Sequence, residues 1–278
     1  MPFRSVDQLV PDIYRLVTSE FEPKKENTEE LAEGLKWAIS EFFSRKHSPT
    51  LRFSNIGTPC NRKLWYQINK PELGEELPGP TKLKFLIGVI WEVVLLFLAK
   101  EAGHTVTGVQ GEVECEGIKG HRDAIIDGSI VDVKSASYRA FFKFLQNGLS
   151  SDDPFGYLDQ INAYRQASEP ELTDKDRVHF LAANKETGAL HLDSYPKLEK
   201  DYAKVMREKK ALVATKTLPP RDHEDVAEGK SGNRRLGSFC SFCDFKHTCW
   251  PGLRKFDYAK GPVYMTKVIK EPRVEQGF

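Results

Sequence analysis

The stretch GHRDAIIDGSIVDVK, residues 120–134, constrains the fold more than any other part of the chain. Two aliphatic runs flank Asp127-Gly128, a pair favoured where both central positions of a two-residue hairpin turn need positive φ. Taking that pair as the turn sets the register, so Asp123 faces Asp132 and His121 faces Lys134. Side chains alternate along a strand, so Ile130, Asp132 and Lys134 share one face, while Val131 and Val133 point the other way into a core. Directly opposed residues have Cβ atoms about 5 Å apart. Two carboxylates at that distance repel, so either the hairpin is a solvated acidic edge or something offsets the charge. A divalent cation would do so, and oxygen-only ligands suit Mg²⁺ or Mn²⁺. Lys134 reaches the same place, giving a set of groups suited to activating water and stabilising charge at phosphorus.

A second carboxylate is out of place. Glu92 is the only charge in FLIGVIWEVVLLFLA, residues 85–99. An ionised carboxylate in an apolar helix is costly unless it is paired, metal-bound or turned to solvent. The run is too short and too polar at its centre to span a bilayer, so it reads as a buried helix. It forms the end of a helix over 82–102 that Gly103 terminates.

Around these features the chain reads as mixed α/β, with a central sheet and flanking helices. EELAEGLKWAISEFFSRK has near-helical apolar spacing, so residues 1–48 read as a helical N-terminal segment. PELGEELPGP, residues 71–80, is a loop. Residues 105–135 read as strands, and 138–148 and 156–168 as helices. RVHFLAANKETGALHLDSY reads as two strands around a turn, followed by a charged helix at about 196–214 and a polar loop at 219–237. The 278 residues, 40% of them hydrophobic, suffice for one large core or for one core with a small satellite. The net charge of +1 gives no general cationic field, which leaves local runs such as Lys209-Lys210 and Arg234-Arg235 as the basic patches. The first twenty residues show no secretory signal, and the five cysteines are odd in number. Both point to a reducing, cytoplasmic setting with thiols available to metal.

G-x-x-x-E at Gly88–Glu92, G-x-x-D at Gly120–Asp123, D-x-K at Asp132–Lys134 and Q-x-x-x-Y at Gln160–Tyr164 follow one another in order. This series resembles the RecB-type branch of the PD-(D/E)XK nuclease superfamily. The resemblance implies a restriction-endonuclease-like core and assigns the residues. Glu92, Asp123, Asp132 and the backbone carbonyl of Val133 would hold Mg²⁺ or Mn²⁺. Lys134 would orient or deprotonate the attacking water and stabilise the pentavalent phosphate. Gln160 and Tyr164 would contact DNA or support the site. Many relatives have histidine where this chain has Glu92, which would shift metal preference toward Mg²⁺.

FCSFCDFKHTCW supplies Cys240, Cys243 and Cys249 as C-x2-C-x5-C, and Cys60 is the candidate fourth ligand, with His247 the alternative. The spacing suits neither the usual ferredoxin run nor a paired C-x2-C zinc ribbon. One cysteine ahead of the core and three behind it resemble the iron–sulfur nucleases of the same superfamily: the CRISPR-associated RecB-like exonucleases, the AddB nuclease domain and phage relatives. CNRKLWYQ after Cys60 is similar to their entry motif. The resemblance implies a structural [4Fe–4S] cluster, with Zn²⁺ the alternative, that staples a helical and C-terminal subregion to a nuclease domain at 49–252. Residues 1–48 and the tail at 253–278 are unassigned, each a candidate for contact with DNA or a partner. Cys115 reads as a free core thiol, and His121 as a histidine beside the metal site. Trp65, Tyr66, Phe141 and Phe142 are candidates for stacking on bases, each with a core reading beside it.

The expectation is a metal-dependent DNA exonuclease, phage-encoded or CRISPR-related, acting on DNA ends with single strands preferred. No G-x-x-x-x-G-K-[ST] occurs, so any unwinding would come from a recombination, helicase or CRISPR partner protein. No membrane partner is expected. A structure-specific endonuclease using the same site, and a non-catalytic iron–sulfur DNA-binding or scaffold protein, are the competing readings.

Overall fold

The computed structural model describes residues 4–44, 48–274 and 276. The expected N-terminal segment (1–48) and tail (253–278) therefore extend in part outside the described residues.

The chain opens with α1 (Leu9–Val17) and α2 (Lys25–Ser44), then α3 (Phe53–Ile56), α4 (Asn61–Asn69) and the long α5 (Gly79–Glu101). Strands β1 (Val106–Thr107), β2 (Glu112–Cys115), β3 (Ile118–His121), β4 (Ala124–Ile126) and β5 (Ser129–Ala136) follow. Next come α6 (Tyr138–Leu145), α7 (Tyr157–Ala167), β6 (Arg177–Asn184), β7 (Leu190–Pro196) and α8 (Tyr202–Ala214). The C-terminal part holds β8 (Val226–Ala227), β9 (Arg234–Arg235), α9 (Ser238–Ser241), α10 (Lys246–Cys249), β10 (Arg254–Tyr258) and β11 (Gly261–Lys267).

The central sheet runs β1-β4-β5-β6-β7. It is mixed: β5 and β6 are parallel, and their neighbours pair antiparallel. Helices lie on both faces, so β6 is buried along nearly its whole length and reads as a continuous apolar run. On one face Phe53, Ile125, Ile130, Phe141, Ile161, Tyr164 and Phe180 pack together. On the other Leu9, Ile13, Leu95, Ala124, Val131, Val133 and Leu181 do the same. A small satellite of Trp65, Tyr66, Cys243 and Phe245 lies apart. The α/β class with helices about a mixed central sheet is as the sequence implies.

The hairpin turn forms as expected. Asp127 and Gly128 have φ of 50° and 77°, and the ladder pairs Ala124 with Val131, Ile125 with Ile130 and Ile126 with Ser129. The ladder stops there, so the expected pairing of His121 with Lys134 does not form. His121 instead pairs with Glu112 in the separate β2–β3 hairpin. The chain turns away because Gly111 accepts from the Arg122 backbone N–H, while the buried Arg122 guanidinium grips Ser168 at 2.8 Å and both oxygens of Glu171 at 2.7 and 2.5 Å. That network closes β3 off from β5.

Three further expectations change. The apolar run in α5 is buried only toward its C-terminal end, at Leu95, Leu96 and Ala99, while Leu83 and Phe85 stay 60% and 53% exposed. The charged helix begins at Tyr202, where extended Asp201 caps it through the Lys204 N–H, because the residues before it turn between Leu198 and Lys200 and the Leu198 N–H donates to Asn162. The tail forms a β10–β11 hairpin with Phe256 and Met265 buried beneath it. The alternation in RKFDY is the signal that would have found it.

Candidate active site and thiol centre

Four titratable side chains meet where α5 passes the middle of β5 beside the start of β4. Asp132 and Lys134 point from β5 to the same face, as strand alternation requires. Asp123 stands just before β4 and accepts a hydrogen bond from the Val133 backbone N–H at 2.7 Å. The Asp123 carboxylate thus takes over the pairing that the interrupted ladder leaves open. Glu92 arrives from α5, held by the Gln110 amide. Gln110 itself sits at φ 49°, with its N–H on the Asp123 carbonyl at 3.1 Å. Sequence reading gave no sign of Gln110, whose role depends on a turn between β1 and β2.

Two glycines explain their motifs. A Cβ at Gly88 would come within 3.0 Å of Ser135 Oγ, so α5 rides close to the end of β5. A Cβ at Gly120 would meet Phe53 at 2.6 Å and the Tyr164 hydroxyl at 2.8 Å. Gly120 therefore lets the Q-x-x-x-Y helix, α7, seat against the acidic cluster.

The electrostatics follow from this crowding. Burial pushes the Asp123 carboxyl well above its ordinary range, and the charges of Asp132 and Glu92 push it further. Burial also raises Glu92; the Gln110 hydrogen bond offsets part of that, and Asp132 adds to it. Burial opposes the charge on Lys134, but Asp132 and Asp123 more than reverse this and hold it as an ammonium. Lys134 Nζ is in ion-pair contact with Asp132 Oδ2, at an angle that leaves that buried oxygen without a hydrogen bond. Tyr157 covers the ammonium, with its ring centroid 4.8 Å from Nζ. Burial and the nearby Asp123 raise the Tyr164 phenol, keeping it neutral, and it stacks on Phe53 at 4.9 Å. Gln160 lies one turn earlier on α7, half-buried, its backbone against Gly57. His121 is half-exposed beside Glu112 and away from this cluster.

The second centre gathers residues far apart in sequence. Cys60, Cys240, Cys243 and Cys249 line one cavity, with Arg62, His223, Phe239 and Trp250 among the other walls. Cys60 stands as the N-cap of α4, its sulfur accepting from the Lys63 N–H at 3.4 Å. Burial raises the Cys60 and Cys243 thiols to about 11. Burial raises Cys240 as well, and the Trp250 indole opposes part of that rise. Among the described residues, no three His, Cys, Asp or Glu side chains stand converged as metal ligands. Two observations nevertheless fit each centre to a bound group. Four thiols form a soft donor set that suits Zn²⁺ or iron–sulfur. Arg62 Nε and His223 Nε2 are buried around that cavity without hydrogen-bond partners, and the Trp250 indole already faces the Cys240 sulfur, as groups that would meet sulfur acceptors. At the carboxylates, the oxygen-only set suits Mg²⁺ or Mn²⁺, and the raised Asp123 and Glu92 carboxyls lack the positive charge that a cation would supply.

His247 is outside the thiol cavity; it is half-exposed, 3.5 Å from Glu75 and edge-on to Tyr264. His223, stacked on Phe239 at 4.3 Å, occupies the place the sequence offered to His247. Trp65, Tyr66 and Phe141 are buried and unavailable to bases, whereas Phe142 is exposed. Lys209 donates to the Thr58 carbonyl and Asn61 Oδ1, so it braces α4 rather than presenting a basic patch. Arg234 is held by Asp225. Cys115 is half-buried on β2.

No protein-family model matches the chain, and no curated protein matches it. Among solved structures it is similar to that described as the crystal structure of SSO0001, with 18% identity and a TM-score of 0.42, over 80% of this chain and 95% of that one. No helix among the described residues is long and apolar enough to cross a membrane.

Proposed function

We propose that the chain is a metal-dependent DNA exonuclease with a PD-(D/E)XK-type core, hydrolysing phosphodiester bonds from DNA ends with single strands preferred. The observation that carries this reading is the meeting of Glu92, Asp123, Asp132 and Lys134 in one buried cluster, three carboxyl groups beside a single ammonium. Three carboxylates against one ammonium are costly to bury for structure alone, because buried like charges repel and lose hydration. The same groups in the same place suit phosphate hydrolysis.

Glu92, Asp123, Asp132 and the Val133 carbonyl would hold Mg²⁺ or Mn²⁺. Bound there, the cation would polarise a phosphoryl oxygen and make its water acidic. Lys134, kept charged by Asp132 and Asp123, would donate to the phosphoryl oxygens and stabilise the charge that develops on them. Its held proton favours this role over that of a base. Tyr164, neutral and braced by Phe53, would keep Asp123 and the β3 end in position. Cys60, Cys240, Cys243 and Cys249 would hold a structural [4Fe–4S] cluster, Zn²⁺ being the alternative. Colour and metal content of protein purified without oxygen separate the two.

Lys134→Ala tests the catalytic reading. A catalyst loses cleavage by about 10²–10³-fold and keeps DNA binding. Cleavage unchanged in this variant would remove Lys134 from the chemistry, and no cleavage by the wild type would leave a binding or scaffold protein.

A further inference from the structure

A row of aromatic rings leads out from Lys134. Tyr157 covers the ammonium at 4.8 Å. Phe155 stacks on Tyr157, with centroids 5.4 Å apart and an interplanar angle of 29°. Phe242 follows at 6.0 Å and 50°. The outer rings are open: Phe155 is 46% exposed and Phe242 66%. Phe242 lies between Cys240 and Cys243, so the row begins at the candidate catalytic lysine and ends in the thiol loop.

We infer that Phe155 and Phe242 form a stacking platform for the bases of a single nucleic-acid strand whose scissile phosphate lies at Lys134. This deepens the proposed function and rests on it. Every base has a π-face, so stacking on phenylalanine binds single strands with little regard to sequence. A duplex hides those faces in its own stack and gains nothing from the platform. The row is therefore a physical source for a single-strand preference. Rings that served only to dock the thiol loop would bury each other, yet Phe242 keeps most of its surface outside. The nearby acids are partly engaged. Lys143 pairs with Asp152 at 2.6 Å, and one oxygen of Asp153 accepts from the Leu158 N–H at the start of α7 at 2.8 Å while its other oxygen is buried away from solvent. Because Phe242 rides on the C-x2-C loop, the thiol centre would set the outer end of the strand path.

The test is equilibrium binding of fluorescein-labelled oligothymidine, and of a duplex of equal length, in EDTA so that no cleavage occurs. The proteins are the full chain as wild type, Phe155→Ala, Phe242→Ala and Phe242→Trp. Each alanine variant should weaken single-strand binding about 5- to 100-fold, with duplex binding unchanged and Phe242→Trp restoring it. Retained metal content and melting temperature show that the loop is intact. Alanine variants that bind oligothymidine as tightly as wild type, or a wild type that does not bind it, would overturn the platform. So would alanine variants that lose self-association in sedimentation while keeping DNA binding, since the rings would then join copies of this chain. The outcome is independent of the catalytic reading: an inactive wild type whose single-strand binding still falls in the alanine variants would sink the nuclease and keep the platform.

Discussion

The carboxylate cluster and the thiol cavity are built in opposite ways. The first is part of the sheet. Asp132 and Lys134 come from the middle of β5, Asp123 is tied to its backbone, and both faces around them are packed. Its geometry needs no added group, only its charge balance does. The second is assembled from α4 and two four-residue helices, over a satellite core of Trp65, Tyr66, Cys243 and Phe245. Its walls contain thiols and buried nitrogens without partners. On the proposed reading, the contrast is between a site whose frame would stand without a cation and a site whose frame would depend on a group held by the cysteines.

The largest effect should come from breaking the second frame. A group joining Cys60 to Cys240 closes a loop of about 180 residues, and the chain-entropy account of such a crosslink gives roughly 5 kcal/mol. Cys60→Ala or chelation should therefore lower the melting temperature sharply in thermal denaturation followed by circular dichroism. The same treatment leaves the sheet site standing only if the two regions unfold separately.

Next is Asp132→Ala. Cleavage should fall by at least about 10²–10³-fold, while melting in EDTA changes little, because the crowding relieved at Asp123 and Glu92 offsets the partner lost by Lys134. A large loss of stability would mean that the cluster frames the fold after all.

Gly156→Ala probes the joint between the regions. Gly156 has φ 71°, and an added Cβ would come within 1.7 Å of the Gly57 carbonyl oxygen. This contact sets the arm that bears Cys60 against the helix that bears Gln160 and Tyr164. Backbone strain and the clash together should cost about 3 kcal/mol, read from denaturant unfolding.

The smallest effect carries a sign. The folded-state values of Asp123 and Glu92 lie above their unfolded ones, chiefly through burial. As pH rises through the ordinary carboxylate range, the unfolded chain ionises first and metal-free protein loses stability. Asp123→Asn should flatten that decline and raise stability at neutral pH by about 1 kcal/mol in EDTA. It should also abolish any gain in melting temperature from added Mg²⁺. A steeper decline in the variant would reverse the assignment of strain to this cluster.

How much could be read from the sequence differs between the regions for the same reason. The hairpin was legible because Asp127-Gly128 specifies its turn and strand alternation then places Asp132, Lys134, Val131 and Val133. His121 was misplaced because that register holds only while the ladder continues, and the Arg122–Glu171 network ends it. Gln110 was invisible, since nothing local marks a residue that acts from a turn at positive φ. The cysteines were legible as a spacing, but His223 was not, because its approach depends on a loop with no periodicity. The exposure of Leu83 and Phe85 contradicted a local reading of hydrophobicity. Composition says that such a run prefers burial, and only tertiary packing says where the sheet ends.

Cleavage of end-labelled single-stranded DNA tests the central claim most directly. The protein would be purified without oxygen and assayed with Mg²⁺ or Mn²⁺ beside Asp132→Ala. Short products released from the labelled end by the wild type alone are the predicted result. Internal cuts would make the site an endonuclease. No cleavage in either metal, by brown protein with its thiol centre loaded, would contradict the account and leave a binding module.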